Sequence, residues 1–364
     1  MCTEIKGIKD LLERISDTPS KIFIVGHNEP DFDSIGSAIG LQTLCTILGK
    51  EAYIIINDSD ITLEPGVKKI KERSWLEHNI INMEAYEVLK EPDSALIVTD
   101  TNRTSMTCMR NNLEDFKDII IIDHHQMSQD TIAPASTYIR EKASSASEIV
   151  TQLIVESKIK CPSDICTYLL AGIILDTKRF QKNTSPKTHE CARILRSKDA
   201  DVDYINELFL EDFDVDKRIS DLVFNGTQFH IYEQTLFETR NISFTLNRNK
   251  PTTIYRKEDI AKAADKMLKY KVDATFALGY ISDTAISVSA RSKSALDVGK
   301  IMAQLGGGGN CQNAGARIEN MELEQLEEIL KNSIVYGIPA AEDTKKDNQA
   351  EDTPKKLIKK QEKF

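Results

Sequence analysis

Imidazole and carboxylate side chains follow four short apolar runs of the sequence, each directly at the end of its run. They belong to the segments 27–33, 100–101, 123–125 and 176–177. Histidine nitrogens and aspartate oxygens suit Mn²⁺ well and can also hold iron, cobalt or zinc. The candidate metal ligands are the imidazoles and carboxylates of these segments: His27, Asp31, Asp33, Asp100, Asp123, His124, His125 and Asp176. Their number is sufficient for two divalent ions about 3.5–4 Å apart that share one carboxylate and activate a water molecule.

Taken singly, these residues have other interpretations. Asp33 could be the N-cap of a helix that follows it, and Asp176 could cap a turn. His124 or His125 could be an ordinary polar residue, and Asp123 could orient an imidazole without binding metal. The joint pattern favours a metal centre, because all four groups follow predicted buried strands. The remaining histidines are interpreted as surface or core residues: His78, His189 and His230.

The elements that must position these side chains are short apolar runs that alternate with helical patterns. Strand-like runs cover residues 21–25, 52–56, 95–98, 119–122 and 169–175, and helical patterns cover residues 8–15 and 34–48. This alternation predicts a mostly parallel sheet that is covered on both faces. In such a sheet the ligand site lies at the carboxyl ends of the strands, which is where the candidate ligands occur.

The second half of the chain has a different pattern of apolar and polar residues. Residues 196–232 are predicted to form a helical connector, and residues 233–338 a smaller α/β domain. Its predicted strands are 241–246, 274–280 and 285–290, the last two as a hairpin, and its helices are 260–270, 296–305 and 321–331. The first domain is therefore assigned to residues 1–195. Residues 339–364 are rich in charge and poor in apolar side chains, which predicts a disordered tail.

A run of four glycines before Asn310 forms a second candidate site. Glycines let a backbone approach a ligand closely and can present N–H groups to an anion, although a flexible linker has the same composition. Arg291 ends a strand-like run and could bind a phosphate through two hydrogen bonds, or it could be a solvated charge. The candidate substrate contacts are Ser289, Arg291, Gly307, Gly308, Gly309 and Asn310.

Together these motifs resemble the DHH/DHHA1 phosphoesterase superfamily over roughly residues 15–335. The four DHH motifs correspond to His27, Asp31 and Asp33, then Asp100, then Asp123, His124 and His125, then Asp176. The DHHA1 domain is similar through residues 289–292 and the glycine run. The nearest likeness is to the catalytic module of cyclic-di-AMP phosphodiesterases of the GdpP type, through segments 143–150, 171–180 and 301–305.

The resemblance implies two divalent ions, identified as Mn²⁺, with Asp100 shared between them. One ion would be held by His27, Asp31 and Asp100, and the other by Asp33, Asp100, His124 and Asp176. His125 would then lie near the scissile phosphate and, with Asp123, act in catalysis. The resemblance also implies a mostly parallel-sheet DHH domain and a smaller α/β DHHA1 domain, with the active site in the cleft between them.

The resemblance implies hydrolysis of cyclic-di-AMP, or a related cyclic dinucleotide, to the linear dinucleotide pApA. Alternatives are cleavage of pApA or short oligonucleotides to mononucleotides, removal of a 3′-phosphate, and, less favoured, pyrophosphate hydrolysis or non-catalytic nucleotide sensing. Two positions depart from the GdpP-type pattern, because Asn102 and Asn310 stand where histidine is usual. Asparagine donates a hydrogen bond but does not shuttle protons near neutral pH, so these departures bear on substrate preference.

The composition excludes some function classes. The 364 residues carry a formal net charge of −10, which argues against duplex DNA as a partner. The seven cysteines form no CxxC pair, so neither a zinc-ribbon site nor a disulfide framework is indicated. No secretory signal or membrane-spanning run is found, and we expect that the membrane attachment and sensory role of GdpP-type proteins do not carry over. We therefore expect a cytoplasmic protein that does not associate with membranes; a homodimer is left open.

Overall fold

The computed structural model describes residues 2–56, 63–75, 77–210, 213–224, 227–232, 239–246, 254–293, 296–336 and 357–360. The chain divides into two compact units, Met1–Leu210 and Glu211–Phe364. The predicted connector, residues 196–232, is therefore divided between the two units. Within the described part of the chain, no helix is both long enough and apolar enough to span a bilayer.

The first unit is built on a seven-stranded sheet in which all neighbouring strands are parallel. Its strands are β1 (Thr3–Glu4), β2 (Lys21–Val25), β3 (Glu51–Ile55), β4 (Ile80–Ile81), β5 (Ala95–Thr99), β6 (Asp118–Asp123) and β7 (Ser136–Ile139). They lie in the order β1-β7-β6-β5-β2-β3-β4. Because β6, β5 and β2 are neighbours, the segments that follow their carboxyl ends meet at one edge of the sheet. The predicted parallel sheet is confirmed.

Helices cover both faces of this sheet. They are α1 (Ile8–Ser16), α2 (Phe32–Ile47), α3 (Pro65–Ser74), α4 (Met83–Leu89), α5 (Ala146–Glu156), α6 (Ser163–Asp176), α7 (Pro186–Ser197) and α8 (Val202–Leu208), with 3-10 turns at Thr104–Met106, Cys108–Asn111 and Leu113–Asp115. Successive side chains of a strand point to opposite faces. Accordingly Ile22 and Ile24 join the core under α2, α5 and α6, whereas Phe23 and Val25 join the core beside Tyr86.

One sequence prediction in this unit is wrong. Residues 169–175 are not a strand but part of the helix α6, so Asp176 ends a helix. The helix is buried around most of its circumference, which removes the alternation of apolar and polar residues that distinguishes a helix from a strand. Gly172 permits this burial, because a Cβ there would lie 2.3 Å from the Ser147 hydroxyl and 2.8 Å from an Asp33 carboxylate oxygen.

The second unit contains a mixed sheet. Its helices are α9 (Phe213–Phe224), α10 (Lys257–Met267), α11 (Val298–Gln304) and α12 (Leu323–Tyr336), and its strands are β8 (Thr227–Tyr232), β9 (Thr239–Leu246), β10 (Ala274–Tyr280), β11 (Ala285–Ser292), β12 (Gly308–Gly309), β13 (Asn313–Glu319) and β14 (Leu357–Lys360). The strand order is β12-β13-β11-β10-β9-β8-β14. All pairs are antiparallel except β9 with β10. The predicted hairpin is confirmed as β10 and β11.

The ends of this unit differ in part from the prediction. The last residues of the predicted helical connector form β8, and four residues of the predicted disordered tail form β14, which pairs with β8. The rest of the tail lies outside the described residues. The main core lies between α11, α12 and one face of the sheet, where Phe276 and Leu278 point. Ala277 points to the opposite face, which α9 and α10 cover.

Candidate metal centre

The segment after β2 supplies two aspartates with different local partners. Asp31 is the N-cap of α2, since its Oδ1 accepts from the backbone N–H of Asp33 at 2.8 Å and of Ser34 at 3.0 Å. The alternative that Asp33 caps this helix is therefore wrong. The Asp33 carboxylate instead accepts from the backbone N–H groups of Ala146 at 2.7 Å and Ser147 at 2.8 Å, in the first turn of α5. Asp33 is fully buried there.

A buried polar cluster holds the first turn of α5 in this position. Glu148 Oε2 accepts from the Ser144 hydroxyl at 2.7 Å and from the Thr188 hydroxyl at 2.7 Å. All three residues are nearly inaccessible to solvent. Because buried hydrogen bonds to a charged group are among the stronger ones, this cluster fixes α5 against α7 and so fixes the N–H groups that bind Asp33.

Asp100 follows β5 and lies between two imidazoles. Its backbone is left-handed, with φ of +58°, a conformation that aspartate tolerates better than most residues. Its N–H donates to the Ile122 carbonyl of β6 at 3.1 Å. Its Oδ2 lies 3.5 Å from His27 Nε2, and its Oδ1 lies 3.3 Å from His124 Nε2. A single carboxylate is thus positioned to reach two separate groups of donors.

The six predicted metal ligands form two groups that share Asp100. One group is His27, Asp31 and Asp100, and the other is Asp33, Asp100, His124 and Asp176. Within each group the donor atoms lie within 4.8 Å of one another. The sequence predicts Asp176 at a strand end, but it is the end of the helix α6 that brings its Oδ2 to 3.2 Å from His124 Nε2.

These donors fit divalent cations. His124 Nε2 is buried and has no hydrogen-bond partner of good geometry among the described residues, although three carboxylates surround it. Buried carboxylates that face one another are unfavourable unless a positive charge compensates them. A mixed set of imidazole and carboxylate donors is the type of site that Mn²⁺, iron, cobalt or zinc occupies.

The close approach of these buried charged groups shifts the pKa values of the aspartates. Burial raises the pKa of Asp33, and the nearby carboxylates of Asp100 and Asp176 raise it further. Burial also raises the pKa of Asp176. Burial alone would raise the pKa of Asp100 too, but the imidazoles of His124 and His27 outweigh it and lower the pKa.

The two imidazoles respond in the opposite sense. Burial would lower the pKa of His27, but Asp100 and Asp31 raise it to about 10. Burial would likewise lower the pKa of His124, but Asp100, Asp176 and Asp33 raise it to about 11. The raised pKa values favour the imidazolium form of both side chains at neutral pH when no metal ion is bound, and in that form they would compensate the carboxylates.

Asp123 and His125 form a hydrogen-bonded pair beside the two groups, and donor atoms of this pair, Asp100 and His124 also lie within 4.8 Å of one another. Asp123 Oδ1 lies 2.8 Å from His125 Nδ1 and also accepts from the His124 and His125 backbone N–H groups. Its other oxygen accepts from Asn102 Nδ2 at 2.7 Å. The hydrogen bond to Asp123 raises the pKa of His125. Asp123 thus orients this imidazole, as one of the sequence alternatives expected.

A pocket of about 300 Å³ opens beside the aspartates and imidazoles. It is lined by His27, Asp31, Asp100, Thr101, Asn102, Arg103, Met106, His125 and Asp176. Sequence reasoning missed Arg103, an exposed cation in a wall otherwise rich in acidic groups. Its place three residues after Asp100 could have indicated it, because segments after strand ends line the ligand site in sheets of this kind.

The predicted substrate contacts lie together at one end of the second sheet. Across the strands, Ser289 of β11 pairs with Gly315 of β13, which pairs with Gly308 of β12. Arg291 pairs with Asn313, whose carbonyl accepts from the Asn310 N–H at 2.8 Å. The Arg291 guanidinium is bound to the Asp265 carboxylate at 3.1 Å, and its side chain is only 14% exposed.

The four glycines from Gly306 to Gly309 differ in their structural roles. Gly306 ends α11 with a φ of +75°, the left-handed conformation that favours glycine at a helix end. A Cβ at Gly307 would lie 2.2 Å from the Gly315 carbonyl, and one at Gly309 would lie 2.3 Å from the Asn313 carbonyl. Gly306 and Gly308 face open space, and of these two only Gly306 has the left-handed backbone. The N–H groups of Gly306 and Gly307 donate to carbonyls of α11, so they do not point at an anion as the sequence suggested.

Comparisons with known proteins agree with this architecture. The model of the DHH family, N-terminal domain, matches residues 21–173, and that of the DHHA1 domain matches residues 249–334. Cyclic-di-AMP phosphodiesterase GdpP of Bacillus subtilis is 29% identical over 333 residues, which are 90% of this chain and 49% of that protein. The chain thus spans about half the length of the curated relative that it matches.

Two further comparisons differ in how much of the chain they cover. A probable manganese-dependent inorganic pyrophosphatase of Streptococcus thermophilus is 29% identical over 174 residues, which are 47% of this chain and 51% of that protein. An exopolyphosphatase-related protein from Bacteroides fragilis has a solved structure with a TM-score of 0.71 at 20% identity, covering 90% of this chain and 96% of that one. The likeness to the pyrophosphatase covers less than half of the chain, whereas the likeness to GdpP covers most of it.

Proposed function

The chain belongs to the DHH/DHHA1 phosphoesterase superfamily, and we propose that it hydrolyses a phosphodiester bond of a small nucleotide with the help of two divalent metal ions. The observation that carries this proposal is the pair of donor groups that share Asp100 beside the pocket. In this proposal His27, Asp31 and Asp100 hold one ion. Asp33, Asp100, His124 and Asp176 hold the other, and Mn²⁺ is the ion that suits these donors best.

Each part of the chain contributes in its own way. A pair of bound divalent ions supplies an activated water molecule and compensates the charge of a phosphate. The aspartates set the spacing of the donors, because Asp31 and Asp33 are fixed by helix N-termini and Asp100 by β6. Arg103 at the pocket wall offers a guanidinium to a phosphate oxygen, a charge-assisted hydrogen bond.

We assign the proton transfer to His125. Its Nδ1 is occupied by Asp123, so its Nε2 is the nitrogen available to a substrate in the pocket that it lines. The hydrogen bond with Asp123 raises the pKa of His125, which favours the imidazolium form near neutral pH. That form is the one required to donate a proton to a leaving oxygen.

The favoured substrate is cyclic-di-AMP, opened to pApA. The likeness to a named cyclic-di-AMP phosphodiesterase supports this choice, because it extends over 90% of the chain and so includes the second unit. In the proposal Ser289, Arg291, Asn310 and Gly308 contact the nucleotide. Gly307 and Gly309 serve the packing of the strands instead. A homodimer and a cytoplasmic location stay predictions.

The test is turnover of cyclic-di-AMP and of pApA by the full chain with and without Mn²⁺, with products separated by chromatography. We expect Mn²⁺-dependent consumption of cyclic-di-AMP with accumulation of pApA. Asp100→Asn should abolish it, because Asp100 belongs to both donor groups. Asp93→Asn, which neutralises an exposed aspartate of the same unit that pairs with Lys117, is the matched control and should leave turnover unchanged.

Other results would change the assignment. Rapid conversion of pApA to AMP with cyclic-di-AMP inert would make the chain a linear-dinucleotide phosphodiesterase, with Asn102 and Asn310 the first residues to exchange for histidine. Release of phosphate from pyrophosphate, with both nucleotides inert, would favour pyrophosphate hydrolysis. Tight nucleotide binding without any turnover would contradict the enzymatic proposal and indicate a sensor.

A further inference from the structure

Glu77, His78 and Asp164 form a third group of metal-type donors in the first unit, outside the centre described above. One donor atom from each lies within 4.8 Å of the other two. Glu77 and His78 follow α3, and Asp164 lies in the first turn of α6. Asp176 ends the same helix twelve residues later, about 18 Å away at 1.5 Å per residue. The third group is therefore distinct from the centre around Asp100.

The imidazole of His78 carries the argument, because it is buried and has an unpartnered nitrogen. The residue is 9% exposed. Its Nε2 is buried and has no hydrogen-bond partner within the described part of the chain. A ring nitrogen of His78 lies within 4.8 Å of carboxylate oxygens of Glu77 and Asp164, and carboxylates accept hydrogen bonds without donating them. The group thus combines two carboxylates with an imidazole that has a buried nitrogen without a partner among the described residues.

The hydrogen bonds of Gln42 determine which nitrogen of His78 carries the proton. Gln42 Nε2 donates to the Ala52 carbonyl and to the Thr46 hydroxyl, which assigns its Oε1 to the side of His78. That oxygen lies 3.1 Å from His78 Nδ1, so Nδ1 is the donor and Nε2 retains its lone pair. Burial also lowers the pKa of His78. A histidine whose far nitrogen donates to a fixed oxygen is the arrangement found at metal-binding imidazoles.

We propose that Glu77, His78 and Asp164 bind a third divalent cation, of the Zn²⁺ type, that joins the segment after α3 to the start of α6. One imidazole and two carboxylates provide three ligands and leave a fourth position for water. In tetrahedral zinc sites the donors lie roughly 3.4 Å apart, and the exposed side chain of Glu77 is free to close the remaining distance. The half-buried Asp164 and exposed Glu77 provide the route by which the ion enters.

The experiment counts Zn²⁺ ions bound to the full chain by equilibrium dialysis and elemental analysis. His78→Asn keeps a donor toward Gln42 but removes the Nε2 lone pair, Asp164→Asn keeps an oxygen for the Ile165 N–H, and Glu77→Gln changes only an exposed side chain. Each variant should bind one ion fewer per chain than the unchanged protein. Glu72→Gln, an exposed glutamate on α3 outside the group, is the matched control and should bind the full number.

A second readout separates a lost ligand from a lost fold. Co²⁺ bound to the unchanged chain should show a visible absorption component that disappears in His78→Asn, while Mn²⁺-dependent turnover is retained. Equal ion counts in the unchanged chain, the three variants and the control would overturn the proposal, and so would loss of the ion from Glu72→Gln. Because Glu77 is exposed, a failure of the buried variants to fold leaves Glu77→Gln as the deciding measurement.

Discussion

Binding of Mn²⁺ to the metal-free chain should release protons, because the two imidazoles at the centre are protonated before the ion arrives. The pKa values of His27 and His124 are raised to about 10 and about 11 by the aspartates around them. A nitrogen that binds a metal ion must first lose its proton. At about 1.4 kcal/mol per pH unit, deprotonation at pH 7.5 costs about 3 kcal/mol at His27 and about 5 kcal/mol at His124.

Isothermal titration calorimetry in buffers of different ionisation enthalpy measures the number of protons released. We expect about two protons per fully loaded chain at pH 7.5, one from each imidazole, and an apparent affinity that rises about tenfold per pH unit for each ion. His27→Gln should reduce the release by about one proton. His189→Gln is the matched control, because His189 stacks on Phe180 outside the centre. The number of protons that this variant releases on Mn²⁺ binding should be unchanged.

The stability of the metal-free chain should show the complementary dependence on pH. A folded-state pKa raised above the unfolded value stabilises the fold fully below that unfolded value, and the contribution is lost as the pH rises through the folded-state pKa. For His27 and His124 the loss therefore extends from about pH 6.5 to between about 10 and 11. The melting temperature of the chelator-treated protein should therefore fall as the pH is raised through this range. Metal binding with less than one proton released would refute the reasoning, because the imidazoles would then be neutral or not be ligands.

Four further substitutions test the residues that support the metal centre and the proposed nucleotide contacts. Asn102→Ala should lower kcat about ten- to hundredfold with the number of bound Mn²⁺ ions unchanged, because it removes the hydrogen bond that fixes the aspartate behind His125; parallel loss of metal would contradict this role. Gly172→Ala should destabilise the fold by about 1–3 kcal/mol and weaken Mn²⁺ binding by displacing Asp33, as measured by denaturation and calorimetry. Gly307→Ala should destabilise the second unit, whereas Gly308→Ala should raise KM for the nucleotide with an unchanged melting temperature; equal melting temperatures would contradict the assigned packing role.

Much of the centre could be predicted from sequence because parallel strands bring their carboxyl ends to one edge. The runs before His27, Asp100 and Asp123 are short, apolar and strand-like, and each is a strand of the first sheet. The position of Asp176 was predicted from the wrong element. The end of the buried helix α6 places this carboxylate where the sequence predicts a strand end. The residue could therefore be identified from the sequence, but the element that carries it could not.

The partners of these residues were harder to predict, since they come from distant parts of the chain. Nothing near Asp33 indicates that its carboxylate accepts from Ala146 and Ser147, more than one hundred positions away. The glycine run shows the same limit. Composition alone does not distinguish a backbone that approaches a ligand from one that approaches another strand, and at Gly307 the neighbour is the strand β13.

The arrangement of the first unit couples metal binding to stability. Asp33 and Asp176 are held on α2 and α6, whose packing forms a large part of the core, and their pKa values are raised because burial and neighbouring carboxylates oppose their charge. A cation between them removes an unfavourable interaction that the packing of these helices otherwise imposes. Mn²⁺ should therefore stabilise the folded chain by an amount that follows its concentration relative to its dissociation constant. In the proposed function, the geometry that prepares the centre for catalysis would also make the ion part of the fold.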